Sequence, residues 1–312
     1  MKIGIVGIGW VGSSVAISIL QSGIAHELVL HDTRSAIAEG EAMDLAHGAA
    51  FYPAALVHTG DIEDMLDCDA VVIAAGRGGG PTESRLDLLR DNAAIVSHVA
   101  KRLSTLRGLL IIVTNPVDVL TQIALEASGL PAARVLGTGT MLDTARLRQV
   151  LGRELSLDPR SVHAQVLGEH GDSEVVLWSS ARVGGVSLRH WPGWNEARET
   201  AIAQEVRRAA YEIIQRKGAT NHAIGLVTAA LLRWALRGER RVLTVSRFQD
   251  GALGIEGVAL SLPAVVGRDG AVTVIAPEVD ARERTALHLS ADALRAARAA
   301  LDSSATRHDL RV

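Results

Sequence analysis

The chain has 312 residues, 48% of them hydrophobic and 21% charged, and its formal net charge is −3. This composition is typical of a globular protein, and the lack of a basic excess argues against nucleic-acid binding. The single cysteine, Cys68, excludes an intramolecular disulfide and a metal site built from several cysteines. We therefore expect no bound metal and a reducing compartment such as the cytoplasm.

An uncharged run at the start of the chain has two interpretations. Residues 3–25 follow Lys2 and carry no charge, as in a signal peptide or a membrane span. However, the run divides into an apolar strand (Lys2–Val6), a glycine-rich turn and a helical pattern (Val11–Gln21). Because each piece has a use in a globular fold, we expect neither a targeting segment nor contact with a membrane.

Short apolar strands alternate with helical patterns in the first half of the chain. The predicted strands are Lys2–Val6, Glu27–His31, Ala70–Ala75, Leu109–Thr114 and Arg134–Gly137. The helical patterns between them are Val11–Gln21, Ile37–Leu45, Arg85–Leu106 and Val119–Ser128. This alternation predicts an α/β fold with a doubly wound parallel sheet that helices cover on both faces.

The second half of the chain has a different pattern, α+β in character. Its predicted strands are residues 161–167, 175–178, 182–187, 241–246, 257–262 and 271–275. Its predicted helices are residues 195–217, 223–236 and 281–301. We therefore predict two domains, a doubly wound domain over residues 1–139 and a second, catalytic domain over residues 140–312.

Gly7-x-Gly9-x-x-Gly12 stands between the first predicted strand and the first predicted helix. Glycines there permit a tight turn and let a pyrophosphate approach the free N–H groups of a helix N-terminus. Asp32 ends the second strand about 20 residues later, where a carboxylate can accept bonds from both ribose hydroxyls of NAD. The simpler alternatives are a glycine-rich turn of any α/β protein and a helix N-cap at Asp32. Together the two features favour a Rossmann-type domain that binds NAD.

His170 stands between glycines in the segment Gly168–Ser173, at the end of a predicted strand. Its reference pKa near 6.5 suits proton transfer at neutral pH. Asp143 and Arg146 share one face of a helix, so the carboxylate could orient the imidazole while the guanidinium grips a substrate carboxylate. A structural histidine and a surface ion pair are the alternatives.

A glycine-rich loop runs from Gly76 to Arg85 between a predicted strand and a predicted helix. Such a loop could close over a site as a lid, and a flexible surface turn is the alternative. We assign Gly76, at the start of the loop, to the cofactor site.

These motifs together resemble the L-lactate/malate dehydrogenase family, and in particular its bacterial L-lactate dehydrogenase branch. Further matching segments follow in the family's order and extend over nearly the whole chain: residues 40–47, 83–88, 114–119, 137–146 and 217–220. The resemblance implies NAD as cofactor and reversible NADH-dependent reduction of a 2-oxo acid to an L-2-hydroxy acid. It also implies an enzyme of glycolysis, active as a homotetramer, with a homodimer as the alternative.

The resemblance gives each site residue a role. His170 would be the acid and base, Asp143 would orient it, and Arg85 would polarise the substrate carbonyl. The remaining implied residues are Arg146, Asn115, Thr220 and Ile224 at the substrate, Asn115 also at the nicotinamide, and Arg148 and His163 at an allosteric site for fructose 1,6-bisphosphate. For this last pair, ordinary surface or interface residues are the alternative.

The chain departs from the family at the position that sets substrate specificity, six residues before Arg85. Lactate dehydrogenases have glutamine there and malate dehydrogenases arginine, but this chain has Gly79. The missing side chain opens space beside the substrate, so we expect larger 2-oxo acids to rival pyruvate. Malate dehydrogenase remains an alternative, as does an inactive NAD-binding or structural protein. The intact set of His170, Asp143, Arg146 and Arg85 argues against the inactive protein.

Overall fold

The computed structural model describes residues 1–78 and 84–309, with backbone alone for Arg85 and residues 304–309. The helices are α1 Trp10–Ser22, α2 Ser35–His47, α3 Arg85–Arg102, α4 Val117–Ser128, α5 Met141–Leu155, α6 Glu196–Lys217, α7 His222–Leu236 and α8 Ala281–Asp309. The strands are β1 Lys2–Val6, β2 Glu27–His31, β3 Leu56–Thr59, β4 Ala70–Ile73, β5 Leu109–Ile112, β6 Val135–Gly137, β7 Val162–His163, β8 Val166–Leu167, β9 Val175–Val176, β10 Arg182–Val183, β11 Val186–Ser187, β12 Arg241–Leu243, β13 Ser246–Asp250, β14 Glu256–Ser261, β15 Ala264–Gly267 and β16 Gly270–Val274.

The main sheet has eight strands in the order β14-β13-β6-β5-β4-β1-β2-β3. The six strands β1–β6 are parallel, and β1 lies between β2 and β4. The strand order therefore reverses at β1, which is the switch point where doubly wound folds bind ligands. This arrangement confirms the predicted Rossmann-type sheet.

The strands of this sheet are buried on both faces because their side chains alternate between two apolar layers. In β4, Val71 and Ile73 belong to one core cluster while Ala70 and Val72 belong to the other. All four side chains are 0% exposed. Such continuous apolar strands are typical of parallel sheets covered by helices on both sides.

Helices α1 and α7 pack closely against each other on one face of the sheet. A Cβ at Gly225 would lie 2.5 Å from the Ser14 carbonyl oxygen, so only glycine permits this approach. This close contact places the start of α7 against α1. There, Asn221 Nδ2 donates to Ser14 Oγ at 2.9 Å.

The second half of the chain extends the main sheet as well as building smaller ones. Strand β13 pairs antiparallel with both β6 and β14, so the sheet crosses the predicted boundary at residues 139/140. A third core cluster joins α5 and α6 to the strands β7–β10. The domain boundary itself stays a prediction.

Several strand predictions differ in detail from the structure. The predicted strand 241–246 is interrupted, because β12 ends at Leu243 and β13 begins at Ser246 in a different sheet. The segment 161–167 divides into β7 and β8 because Val162 pairs with β10 whereas Val166 pairs with β9. The segment 182–187 is a hairpin, β10–β11, whose turn residues Gly184 and Gly185 both have positive φ. None of the helices in the described ranges is both long and apolar enough to cross a membrane.

Candidate active site

The glycine turn after β1 has the backbone geometry that a dinucleotide requires. Gly7 has φ +94°, and a Cβ there would lie 2.4 Å from the backbone of Ala75. A Cβ at Gly12 would lie 1.9 Å from the Gly7 carbonyl oxygen, whereas a Cβ at Gly9 would meet nothing within 4 Å. The turn therefore leads into α1 with open space at its N-terminus, which fits a bound pyrophosphate.

Asp32 follows β2 and is tied to this turn. Its Oδ2 accepts from the Ile8 N–H at 3.0 Å, and its Oδ1 accepts from the Arg34 N–H at 3.0 Å. Burial opposes ionisation, but these hydrogen bonds outweigh it and hold the pKa of Asp32 below its usual value. The N-cap of α2 is Arg34, so the alternative of an N-cap role for Asp32 does not apply. The ionised carboxylate of Asp32 lies beside the glycine turn, where it could accept hydrogen bonds from ribose hydroxyls.

The loop after β4 begins with another close approach. A Cβ at Gly76 would lie 2.5 Å from Thr114 Cγ2 and 3.2 Å from Asn92 Oδ1. The Asn92 Nδ2 donates to the carbonyl oxygen of Asn115 at 3.0 Å, and its Oδ1 accepts from the Arg77 N–H at 2.9 Å. Asn92, which sequence analysis missed, thus joins the start of the loop to Asn115.

His170, Asp143 and Arg146 meet at one point in the structure. Asp143 accepts from Arg146 Nη1 at 2.7 Å, and its other oxygen lies 2.5 Å from His170 Nδ1. Asp143 is 2% exposed, so this is a buried pair rather than a surface one. Because Nδ1 faces the carboxylate, the imidazole holds its proton there and leaves Nε2 free for exchange.

The charges of this group determine its protonation. Burial alone would lower the pKa of His170, but the charge and hydrogen bond of Asp143 outweigh it and raise that pKa to about 9. Burial would raise the pKa of Asp143, but His170 and Arg146 outweigh that effect and lower it. At neutral pH the group is therefore an imidazolium, a carboxylate and a guanidinium.

A cleft of about 610 Å³ opens in front of this group. Its polar lining is His170, Asp143, Arg146, Asn115, Glu169, Asp172, Glu174, Arg207 and Tyr211. Its apolar lining includes Leu86, Leu89, Val119, Ala210 and Ile214, from α3, α4 and α6. The mixture of a few polar groups with apolar walls suits a small organic acid.

Two buried acids near the cleft were missed by sequence analysis. Glu174 is 5% exposed, and burial together with the charge of Asp143 raises its pKa to about 8. Asp118 is 2% exposed and accepts from the His170 N–H at 2.7 Å. Glu174 directly follows the histidine motif and Asp118 lies in the matched segment 114–119, but no local pattern places either at the site.

Some expected residues lie elsewhere or outside the described chain. Thr220 is half-buried between α6 and α7, and Ile224 is half-buried in the first turn of α7. Neither is among the residues that line the cleft. Ile224 packs instead against the core cluster around α1 and α7. Gly79 lies outside the described residues, and Arg85 opens α3 with its side chain outside them.

The expected allosteric residues lie on α5 and β7. Arg148 Nε donates to the Ala164 carbonyl oxygen at 3.0 Å, and His163 is exposed. Arg182 of β10 pairs directly opposite His163 and is also exposed. Directly opposite residues in an antiparallel pair point to the same side, so His163 and Arg182 share a face.

Comparison with known proteins shows what class of protein has this fold and site. Residues 1–137 match the family model described as lactate/malate dehydrogenase, NAD binding domain. Residues 140–302 match the lactate/malate dehydrogenase, alpha/beta C-terminal domain. The chain therefore belongs to the lactate/malate dehydrogenase family, as the sequence motifs indicated.

Individual relatives are similar over nearly their whole length. The L-lactate dehydrogenase of Thermus aquaticus is 44% identical over 311 residues, covering 96% of this chain and 99% of that protein. The L-lactate dehydrogenase of Synechococcus sp. (strain JA-3-3Ab) is 44% identical over 298 residues, 95% and 97% of the two chains. The crystal structure of the minor L-lactate dehydrogenase of Enterococcus mundtii superposes with a TM-score of 0.93 at 40% identity, covering 97% of this chain and 98% of that one.

Proposed function

We propose that this protein is an L-lactate-type L-2-hydroxyacid dehydrogenase that reduces pyruvate or a larger 2-oxo acid reversibly with NADH. The observation that carries the proposal is the buried contact of His170 and Arg146 with Asp143 at the wall of a cleft. The names of the similar proteins, L-lactate dehydrogenases, support the same activity.

NADH, when bound, supplies a hydride to the carbonyl carbon of the substrate. The glycine turn would hold its pyrophosphate, and Asp32 would accept hydrogen bonds from its ribose hydroxyls. Arg146 uses Nη1 to hold Asp143 and keeps its other N–H groups for the substrate carboxylate. His170 donates the proton from Nε2 to the carbonyl oxygen, and Asp143 stabilises the imidazolium before transfer.

The family resemblance adds roles for Arg85 and Gly79 to this proposal. Arg85 would polarise the carbonyl when the loop closes and excludes water. Gly79 would leave room for a longer substrate side chain, each added methylene being worth roughly 0.8 kcal/mol on burial. If the loop closes over the substrate as the resemblance implies, its glycines would add a conformational entropy cost of about 0.5–1 kcal/mol each relative to alanine, which a small substrate would offset poorly.

The two alternatives have less support. A malate dehydrogenase is not favoured because the similar proteins are named L-lactate dehydrogenases. An inactive scaffold would have no need for an imidazolium held at 2.5 Å by a buried carboxylate. The same resemblance supports a homotetramer in the cytoplasm, regulated by fructose 1,6-bisphosphate, with a role in glycolysis.

A substrate panel tests the proposal. NADH oxidation is measured with pyruvate, 2-oxobutanoate, a branched-chain 2-oxo acid and oxaloacetate, and pyruvate is repeated with NADPH. We expect turnover of the monocarboxylic 2-oxo acids and a preference for NADH, because Asp32 repels a 2′-phosphate. Activity with oxaloacetate alone would favour malate dehydrogenase, and none with any acid would favour the inactive scaffold. A steep fall in kcat/KM from pyruvate to 2-oxobutanoate would contradict the open pocket.

A further inference from the structure

A second carboxylate holds His170 from behind the cleft. Asp118 Oδ2 accepts the main-chain N–H of His170 at 2.7 Å, while Asp143 contacts the ring. Asp118 is 2% exposed and is not among the residues that line the cleft. It therefore acts on His170 without reach to a substrate.

The surroundings of Asp118 give it few other partners. Its Oδ1 is buried and forms no regular hydrogen bond within the described residues. The Ser246 hydroxyl of β13 faces the carboxyl closely enough to lower its pKa, but its Oγ also lacks a regular hydrogen bond there. One oxygen thus accepts from the His170 main chain, and the other is buried near the Ser246 hydroxyl.

Position 118 has a carboxylate, although a neutral acceptor could form the bond to the His170 N–H as well. An asparagine could accept the same N–H bond without the cost of burying a charge. What the carboxylate adds is negative charge, which the first turn of α4 stabilises at its N-terminus. That charge acts on the His170 ring and helps to keep it protonated.

We propose that Asp118 is a positioning residue, which fixes the main chain of His170 through one oxygen and favours the imidazolium through its charge. This proposal rests on the proposed function, since it takes His170 as the proton donor. It adds a second anchor to the histidine, so that ring and backbone are each held by a separate acid.

The titration behaviour of the neighbouring groups is consistent with this role. Burial raises the pKa of Asp118 to about 6, while Ser246 and His170 oppose the rise and Glu169 adds to it. The groups that act on His170 from α5 are Asp143 and Arg146. Between about pH 6 and pH 9, Asp118 is charged while His170 keeps its proton.

Two variants separate the two effects of Asp118. Asp118→Asn keeps an acceptor oxygen and removes the charge, so His170 should lose its proton more easily. We expect the alkaline limb of kcat/KM for pyruvate reduction to move to lower pH by roughly half a unit or more. Asp118→Ala removes the acceptor too, and kcat should fall about 10-fold or more because the histidine is displaced. NADH binding should stay unchanged in both.

Thr121→Val is the matched control in the same helix. Thr121 is 1% exposed, and its hydroxyl donates to the Val117 carbonyl oxygen of its own helix at 2.7 Å. The pH profile of kcat/KM for Thr121→Val should therefore match that of the wild type. If both Asp118 variants keep the wild-type kcat and pH profile, even with a lower Tm, the proposal is overturned. It is also overturned if Thr121→Val shifts the alkaline limb of kcat/KM as much as Asp118→Asn does. If Asp118→Ala does not fold, the profile of Asp118→Asn decides alone.

His170→Asn, assayed in parallel, distinguishes failure of the proposed function from failure of the role proposed for Asp118. If His170→Asn turns over like the wild type, the proposed function fails together with this inference. If His170→Asn is inactive while Asp118→Asn keeps the wild-type profile, only the role of Asp118 fails.

Discussion

At the scale of single residues, the chemistry depends on what Asp143 does to His170. A histidine buried without a partner would lose its proton below its ordinary pKa. Here the carboxylate 2.5 Å from Nδ1 reverses that tendency and raises the pKa of His170 to about 9. At neutral pH the free protein therefore carries a proton on His170, as its proposed role in the reduction of a 2-oxo acid requires.

The pH dependence of the two reaction directions should follow from this pKa. Reduction needs protonated His170, so kcat/KM for pyruvate should be flat below about pH 8 and fall as pH rises through about 9. Oxidation of L-lactate needs the neutral form, so its kcat/KM should rise over the same range. Steady-state profiles in both directions, with enzyme stability checked at each pH, measure this. A reduction limb centred near 6.5 would show that Asp143 does not hold the proton.

Arg146 should act mainly through its planar fork. In Arg146→Lys the charge remains but paired bonds to a substrate carboxylate are lost, together with the contact to Asp143. Losing a charged hydrogen bond costs about 1.5–3 kcal/mol, so KM for pyruvate should rise roughly 10- to 100-fold. Initial rates over a wide pyruvate range at saturating NADH give kcat and KM separately. An unchanged KM would remove Arg146 from the substrate site.

At the scale of elements, the glycine turn and α1 form one unit. A Cβ at Gly12 would lie 1.9 Å from the Gly7 carbonyl oxygen, a backbone atom that cannot move without opening the turn. Gly12→Ala should therefore weaken NADH binding at least 10-fold and lower the free energy of unfolding. Fluorescence titration with NADH and urea unfolding measure the two effects.

Gly40→Ala is the matched control, because a Cβ at this exposed helical glycine of α2 would meet nothing within 4 Å. It should keep wild-type NADH affinity and raise the free energy of unfolding by about 0.5–1 kcal/mol. Equal NADH affinity in Gly12→Ala and Gly40→Ala would contradict the assigned role of the turn.

The elements that local pattern specifies were predictable from sequence, and those that depend on remote partners were not. Strands β1 and β2 match their predicted bounds because their apolar residues are continuous. Strand β3 was missed because Leu56–Thr59 is partly exposed and carries His58. Nothing local indicates that β13 would join β6, a pairing between residues 246 and 137.

The same division applies to the site. Asp143 and Arg146 are three residues apart on α5, so their common face could be predicted from spacing. The bond between Asp118 and His170 joins residues 52 positions apart. Only the folded structure shows that α4 contacts the segment that carries His170. The burial of Asp118 and Glu174 likewise has no local sequence pattern that predicts it.

At the scale of the whole molecule, one sheet connects the cofactor turn to the histidine. Gly168 and Ser261 exchange hydrogen bonds of 2.9 and 3.0 Å between their main chains. The Ser261 hydroxyl also accepts from the Thr140 N–H at 3.0 Å, just before α5. Because Ser261 ends β14 of the main sheet, the His170 loop and α5 are held in register with β1 and its glycine turn.

The proposed assembly and regulation also belong to this scale. Exposed His163 and Arg182 share a face, and Arg148 reaches the same segment through Ala164. If two chains present this basic face to each other, fructose 1,6-bisphosphate should favour an active tetramer. At subsaturating pyruvate, the bisphosphate should raise the wild-type rate severalfold, and Arg148→Gln should abolish the response. Sedimentation with and without ligand gives the assembly state, and no response in wild type would refute this regulation.

The most direct test of the account is His170→Asn measured against the wild type with pyruvate and NADH. Asparagine keeps a polar side chain near Asp143 but cannot supply the proton, so kcat should fall by a factor of order 10²–10⁴. NADH affinity, measured by fluorescence titration, should stay within about twofold, because the glycine turn and Asp32 lie apart from the loop. Near-normal turnover by His170→Asn, with NADH bound as in the wild type, would contradict the assignment of His170 as the acid and base.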